Sequence, residues 1–262
     1  MTIDEIRKAL EDLGGKNLFT VTTPQSKVTF SFKSMTVGLR KSMSKFAVGD
    51  SGNDFKIAQM GLLKTLCAGE FNEESLSEID FIYLLSELRR WNYSDKLTVS
   101  IRCGKCKEKF NHELDFNRII DKCFEYQAVA AEFEIKDKVG ITYRFLLGEP
   151  SMMDIMSYRK FTEKEDSTTS ALTLPYLYIR NIAINGQVVV DYASKPLVDR
   201  MAFVESLPGE VVYAEDNNLI DHIFNQFGDR TNKVNDIYGV LKCPSCKMDL
   251  GGVVNTDSFF IV

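Results

Sequence analysis

Two pairs of cysteines are the residues of this chain whose types and spacing could do chemistry. Cys103 and Cys106 form one CxxC motif, and Cys243 and Cys246 form a second. A CxxC turn presents two thiolates to one ion, and two facing turns supply the four sulfurs that zinc accepts in tetrahedral structural sites. Because nothing around the motifs points to electron transfer, zinc is favoured over iron. The sequence therefore predicts a structural Zn²⁺ with these four cysteines as its ligands.

The two motifs lie far apart in the sequence. Residues 107–242 separate them, whereas about 15 to 20 residues separate the motifs of a compact zinc ribbon. Each motif nevertheless follows a strand-like run of residues. We therefore predict a zinc-ribbon-like β unit formed by residues 97–118 with 236–262, and an α+β insertion over residues 119–235 that splits it.

Two other interpretations of the motifs stay open. The pairs could be unrelated couples of buried thiols, or one CxxC could be the redox centre of a thiol oxidoreductase. Redox motifs of this kind usually open a helix, whose N-terminus lowers the pKa of the thiol. Neither motif precedes a helical pattern, so a shared metal ion is the favoured interpretation.

The other cysteines and the two histidines are predicted to be structural. Cys67 ends an apolar helical face and Cys123 lies in an apolar stretch, so both are expected in the core. His112 is expected on a strand surface and His222 on a helix surface. The chain carries no phosphate-binding loop, dinucleotide fingerprint, HExxH motif or nucleophile elbow. No catalytic residue is therefore predicted, and an enzyme is not expected.

The composition is typical of a soluble, folded protein. A hydrophobic fraction of 44% with 26% charged residues excludes disordered and fibrous classes. No stretch approaches the roughly 18 apolar residues of a membrane span, and residues 1–13 lack the features of a secretory signal. We therefore expect a cytosolic protein without membrane contact. The net charge of -5 gives no general attraction to phosphates, so nucleic acid is not an expected partner.

Hydrophobic periodicity predicts the elements that must position the cysteines. Strands are predicted over residues 18–21, 28–32, 97–102, 109–115, 132–135, 141–147, 188–190, 237–242 and 252–254, the first two forming a hairpin. Helices are predicted over residues 3–13, 36–46, 54–66, 77–91, 151–161, 171–182, 196–207 and 210–227. The predicted fold class is α+β, with an N-terminal hairpin and helical region over residues 1–96 ahead of the split β unit.

Most of the chain resembles a known family. Residues 80–90 read DFIYLLSELRR, a helix with an acidic start, paired leucines and a Leu-Arg end, and they precede a strand, the first CxxC and the sequence ELDF at 113–116. This order resembles the baseplate hub assembly proteins of T4-type contractile-tailed phages. The sequences IAING at 182–186 and FVESLP at 203–208 also resemble the C-terminal half of that family.

The resemblance implies a non-enzymatic viral protein that takes part in building the tail baseplate, with the cysteines serving stability. Its partners would be other phage baseplate or tail proteins, contacted through apolar side chains on helices. The helix with Phe81, Tyr83 and Trp91 is one candidate surface, although core packing is the favoured role of these residues. The expected location is the host cytoplasm during assembly; presence in the virion tail baseplate stays open, as does the oligomeric state.

Two function classes remain as alternatives to the baseplate role. A zinc-ribbon regulatory module could bind nucleic acid or a polymerase, although the acidic balance of the chain argues against direct binding to nucleic acid. A CxxC thiol oxidoreductase is the less favoured alternative, and it would show turnover of a disulfide substrate.

Overall fold

A computed structural model describes residues 18–39, 52–163, 173–189, 192, 194–213, 218–228, 236–239 and 241–250, with the backbone alone at 52–55. The described residues fall into two compact units. One lies within Met1–Tyr126 and Lys233–Val262, and the other within Gln127–Asn232. Both combine helices with small antiparallel sheets, and the predicted α+β class is confirmed at this level.

The first unit begins with the predicted hairpin. Strand β1 (Leu18–Thr22) pairs antiparallel with β2 (Thr29–Lys33). Phenylalanine or valine alternates with threonine or serine along both strands, and a strand turns alternate side chains to opposite faces. Phe19, Phe30 and Phe32 are therefore buried on one face.

Long helices accompany the hairpin among the described residues of this unit. Helix α1 (Gly52–Leu66) and helix α2 (Glu78–Asn92) confirm two of the predicted helices. Helix α2 begins with a capping box, in which the Ser77 side chain accepts from the N–H of Asp80 and the Asp80 carboxylate accepts from the N–H of Ser77. Helix α3 (Phe116–Glu125) packs on α2 and was not predicted as a helix.

The two cysteine motifs lie in different local frameworks. Strand β3 (Lys96–Arg102) and strand β4 (Lys109–Asp115) pair in register and confirm the strands predicted around the first motif. Around the second motif the bridge between Lys242 and Asp249 replaces an extended ladder. The strand predicted over 237–242 is wrong at its start, because residues 236–238 form a helical turn that ends at Gly239 in the left-handed region.

The second unit is built on a four-stranded antiparallel sheet. Its strands follow the order β5 (Ala130–Lys136), β6 (Thr142–Gly148), β7 (Ile179–Ile184) and β8 (Gln187–Val188). Its helices are α4 (Met152–Thr162), α5 (Leu197–Glu205), α6 (Gly209–Val212) and α7 (Leu219–Phe227), with a 3₁₀ helix at Leu174–Tyr178. Aromatic and aliphatic side chains from the sheet and helices form one buried cluster.

Two helix predictions in this unit are wrong. The helix predicted over 171–182 is the 3₁₀ helix followed by strand β7, because the β-branched residues there pair with β6 in the sheet. The helix predicted over 210–227 is divided into α6 and α7, since Tyr213 leaves helical geometry and Asn218 starts a new helix by capping the N–H of Asp221.

Some predicted elements lie outside the described residues. These are the helix over 3–13, most of the helix over 36–46, and the strand over 252–254. Within the described ranges, no helix is both long enough and apolar enough to span a lipid bilayer.

Candidate metal centre

The structure brings the four predicted cysteines together. The sulfurs of Cys103, Cys106, Cys243 and Cys246 all lie within 4.8 Å of one another. Two of these distances join the two motifs: 3.6 Å between the sulfurs of Cys103 and Cys246, and 3.5 Å between those of Cys106 and Cys243. The segments that hold these residues are therefore adjacent in the fold.

These distances fit a shared tetrahedral ion better than disulfides. In a tetrahedral site with Zn–S bonds of about 2.3 Å, neighbouring sulfurs lie about 3.8 Å apart. A disulfide would require about 2.05 Å between sulfurs, and all four cysteines are free. The donor set of four soft thiolates suits zinc, and the residues present fit that ion.

The two motifs share one backbone conformation. In the first, the N–H of Cys103 donates to the carbonyl of Glu108 at 2.8 Å, and the N–H of Lys107 donates to the carbonyl of Cys103 at 3.0 Å. In the second, Cys243 pairs with Met248 at 2.9 Å and Lys247 with Cys243 at 3.0 Å in the same pattern. Each turn thus places its two sulfurs equivalently, although the flanking strands differ.

Each turn also holds a lysine in the left-handed region. The φ angles are 62° at Lys107 and 59° at Lys247, a conformation that costs a residue with a Cβ about 1 to 2 kcal/mol.

We therefore expect Lys107→Gly to raise the free energy of unfolding by about 0.5 to 1 kcal/mol, since relief of this cost exceeds the extra entropy of the unfolded chain. Urea unfolding at fixed zinc concentration measures the change. Lys105→Gly, at a position outside the left-handed region, is the matched control and should give a loss; a loss in both variants would contradict the prediction.

A small apolar cluster supports the sulfurs from beneath. Its buried members, contributed by both motifs and their flanks, are Ile101, Cys103, Leu114, Leu241, Cys243 and Leu250. Cys103 and Cys243 are fully buried, whereas Cys106 is exposed and Cys246 is half-buried. The first cysteine of each motif therefore joins the cluster, and the second lies toward solvent.

The sulfurs influence one another's ionisation. A hydrogen bond from the backbone of Cys106 lowers the pKa of the Cys103 thiol to about 6, against the opposing effect of desolvation. The pKa of Cys106 rises to about 12: the backbone of Glu108 lowers it, but desolvation and hydrogen bonds to the other three sulfurs raise it by more. Crowded thiolates repel, and a cation among them would favour the ionised form of all four.

Neither motif has the setting of a redox CxxC. Cys103 follows strand β3 and its turn leads into β4, while the turn at Cys243 is closed by the bridge between Lys242 and Asp249. A catalytic CxxC gains its reactive thiolate from the N-terminus of a helix. The first turn instead lies between two strands, as predicted from the sequence, and the second lies between the bridged residues Lys242 and Asp249.

Among the described residues, the group of side chains close enough to hold a metal ion consists of these four cysteines. The other two cysteines and the two histidines are not members of it. Cys123 is buried, as predicted, and desolvation and the charge of Asp80 raise the pKa of its thiol. The prediction of Cys67 in the core is wrong in part, because this residue is only half-buried. His112 and His222, predicted on surfaces, are also half-buried. The His222 ring packs against the ring of Phe133 on strand β5, with 4.9 Å between the ring centroids, and this contact covers part of the histidine.

Comparison with known proteins gives one match. The family model described as T4 bacteriophage base plate protein matches residues 16–260. No curated protein and no solved structure matches the chain. The matched span contains all four cysteines and every described helix and strand.

Proposed function

This chain belongs to the T4 bacteriophage base plate protein family, and we propose that it is a non-enzymatic component that builds or assembles the tail baseplate through protein–protein contacts. The match over residues 16–260 is the observation that carries this proposal, because it covers both compact units. The partners proposed on this basis are other phage baseplate or tail proteins. The proposed locations are the host cytoplasm during assembly and the virion tail baseplate.

We also propose that Zn²⁺ bound by the four cysteines stabilises the protein. The cluster under the sulfurs contains few buried apolar side chains, and strands β3 and β4 form a sheet of only two strands. Two-stranded sheets and small cores have marginal stability without an additional cross-link. A metal ion would supply that cross-link by joining the segment at 103–106 to the segment at 243–246. The exposed lysines of both turns would offset part of the negative charge of a zinc tetrathiolate.

The surface chemistry favours protein contacts over nucleic acid. The net charge of -5 gives no general attraction to phosphates. Of the aromatic residues on the helix considered as a contact surface, Phe81 and Tyr83 are buried and Trp91 is 53% exposed. Core packing is thus the role of Phe81 and Tyr83, while the exposed part of Trp91 is available for contact with a partner. Contacts of this apolar kind should persist at moderate salt.

The baseplate role predicts a defect in phage that lack the gene. We expect electron microscopy of a deletion phage to show missing or malformed baseplates, and the tagged protein to co-purify with tail components at moderate salt. Wild-type protein supplied from a plasmid is the control and should restore normal tails. Normal baseplates in the deletion phage, together with no tail protein in the co-purification, would contradict the role. A strongly salt-dependent affinity for DNA would then favour the zinc-ribbon regulator.

A further inference from the structure

Within the described residues, the hairpin of the first unit has one covered edge and one edge without a neighbouring strand. On the covered side, the N–H of Ala68 donates to the carbonyl of Ser31 at 2.8 Å, and Phe32 forms a bridge with Cys67. On the other side, strand β1 pairs with β2 alone among the described strands. The outer edge of β1 is therefore a short strand edge with no neighbouring strand in the described part of the chain.

The strand register shows which backbone groups face this edge. The Ser31 carbonyl accepts from Ala68 and therefore points away from β1. Thr20 is the residue of β1 opposite Ser31, so these two residues form a pair without ladder hydrogen bonds. Ladder bonds alternate along an antiparallel pair, so the N–H and C=O groups of Leu18, Thr20 and Thr22 point outward. They present the donors and acceptors that a further strand would use.

A groove of about 430 Å³ runs along this edge. It is lined by the continuous run Phe19–Thr23 and Lys27 of the hairpin, and by Tyr83, Glu87, Arg90, Trp91 and Phe124 from helices α2 and α3. A groove between a strand edge and helices, rather than a closed cavity, admits an extended chain. Five residues of β1 provide an edge about 17 Å long.

Two aromatic side chains leave large apolar surfaces open in the groove. Trp91 is 53% exposed while its ring stacks on Phe19 with centroids 5.0 Å apart. Phe124 is 52% exposed, and its ring meets Tyr83 edge-on at 5.4 Å. Rings held in place on one face and open on the other lose little conformational freedom on binding, which suits them as anchors for a partner.

The charges of the groove indicate one feature of the partner. Arg90 binds the Glu87 carboxylate at 2.8 Å, and Lys27, which also lines the groove, is exposed. The three side chains together leave one positive charge. An acidic residue in the partner, next to its apolar side chains, would complement that charge.

We propose that an extended segment of another baseplate protein, with alternating apolar side chains and an acidic residue, adds as a strand to the outer edge of β1. The identity of the partner class rests on the proposed baseplate function. A second copy of this chain fits less well, because residues of helices α2 and α3 line the groove together with β1. Edge-to-edge pairing of two copies would require each β1 to enter the groove of the other.

Synthetic peptides provide the direct test. Overlapping peptides that cover the other baseplate proteins of the same phage are titrated into the full-length protein, and binding is followed by the fluorescence of Trp91, the only tryptophan. We expect at least one acidic, apolar peptide to bind with a Kd in the micromolar range, and the amides of Thr20 and Thr22 to gain protection from hydrogen exchange. Absence of binding by every peptide would overturn the proposal.

A matched pair of variants separates the groove from other apolar surfaces. Phe124→Lys should weaken peptide binding by about tenfold or more, because a desolvated ammonium replaces an apolar anchor. Phe224→Lys is the control, since Phe224 lies on helix α7 of the other unit and is 49% exposed, close to the 52% of Phe124. Equal affinities of the two variants for the peptide would contradict the proposal.

Modified peptides test strand addition independently of any protein variant. Two versions of the bound peptide are compared, one N-methylated at its odd-numbered residues and the other at its even-numbered residues. One version should lose binding and the other should keep it, because only one of the two sets of amides faces β1. Equal effects of methylation in both versions, or a protein dimer held through β1, would overturn strand addition. If the deletion phage is defective but Phe124→Lys restores full assembly, the groove proposal fails while the baseplate role stands.

Discussion

Replacing Cys103 by serine is expected to abolish stable zinc binding and to lower the free energy of unfolding by about 4 kcal/mol or more. That amount corresponds to a ligand present at roughly 1,000 times its Kd, and structural zinc sites bind more tightly than this. Cys243→Ser should cause a similar loss, because its sulfur lies in the same group of four, all within 4.8 Å of one another. The loss arises because metal binding and folding are coupled.

The measurement has two parts. Metal analysis of the purified wild-type protein should find about one zinc per chain, and urea unfolding followed by Trp91 fluorescence reports the stability of the unit that contains the cysteines. Chelation of the wild-type protein, or acidification that protonates the thiolates, should reproduce the effect of the serine variants. The variants themselves should then respond little to a chelator.

A third cysteine supplies the matched control. Cys123 is fully buried, as Cys103 is, but it lies outside the group of four sulfurs. Cys123→Ser should therefore retain the full zinc content whatever its cost in packing. Full zinc occupancy in a double variant that lacks Cys243 and Cys246 would show that the two motifs do not share an ion.

Asp80→Ala is expected to lower the free energy of unfolding of the first unit by about 3 to 5 kcal/mol. The Asp80 side chain is fully buried, and its two oxygens accept from the N–H groups of Gln25 at 2.8 Å and Ser26 at 3.0 Å. Hydrogen bonds to a charged group contribute about 1.5 to 3 kcal/mol each, and alanine would leave two half-buried donors without this acceptor. The carboxylate also lies in the first turn of helix α2, where the helix dipole favours negative charge.

This carboxylate joins the start of a helix to the turn of the hairpin. Gln25, whose N–H it binds, also donates from its side chain to the carbonyl of Tyr126 at 2.9 Å, at the end of helix α3. The turn between β1 and β2 is thus fixed to both helices by polar contacts. Loss of Asp80 should loosen the hairpin and with it the groove beside β1.

Asp115→Ala is the control for this prediction. Asp115 caps helix α3 in the same unit, where its carboxylate accepts from the N–H of Asn117 at 2.9 Å, but it is only half-buried. Loss of an N-cap of this kind costs about 1 kcal/mol. Urea unfolding followed by Trp91 fluorescence compares the two variants. Equal losses would mean that Asp80 acts as an ordinary helix cap rather than as the tie between helix and hairpin.

Features with a local physical cause could be predicted from the sequence. The alternation of apolar and small polar residues predicts the hairpin, because strand geometry itself turns alternate side chains to opposite faces. The Ser77 and Asp80 pair, three residues apart, marks the start of α2 through contacts inside one helical turn. The CxxC spacing likewise defines how one turn presents two sulfurs, and both turns adopt the same backbone conformation.

Features that depend on partners distant in sequence could not be predicted in the same way. The residues of β7 have apolar spacing compatible with a helix, and pairing with β6 makes them a strand. Helix α3 depends on the Asp115 cap at the very end of β4, where the strand pattern conceals it. The exposure of Trp91 beside the buried Tyr83 depends on where α2 meets the hairpin.

The cysteine cluster shows the same division between sequence and tertiary structure. Residue type and spacing by themselves determined that each motif offers two sulfurs and that zinc is the ion suited to four. They did not determine that the motifs meet, because residues 107–242 separate them and no local interaction acts over that distance. Only the tertiary structure decided it: Leu241 and Leu250 pack with Ile101 and Leu114 in one apolar cluster, and the burial of these side chains brings the sulfurs together.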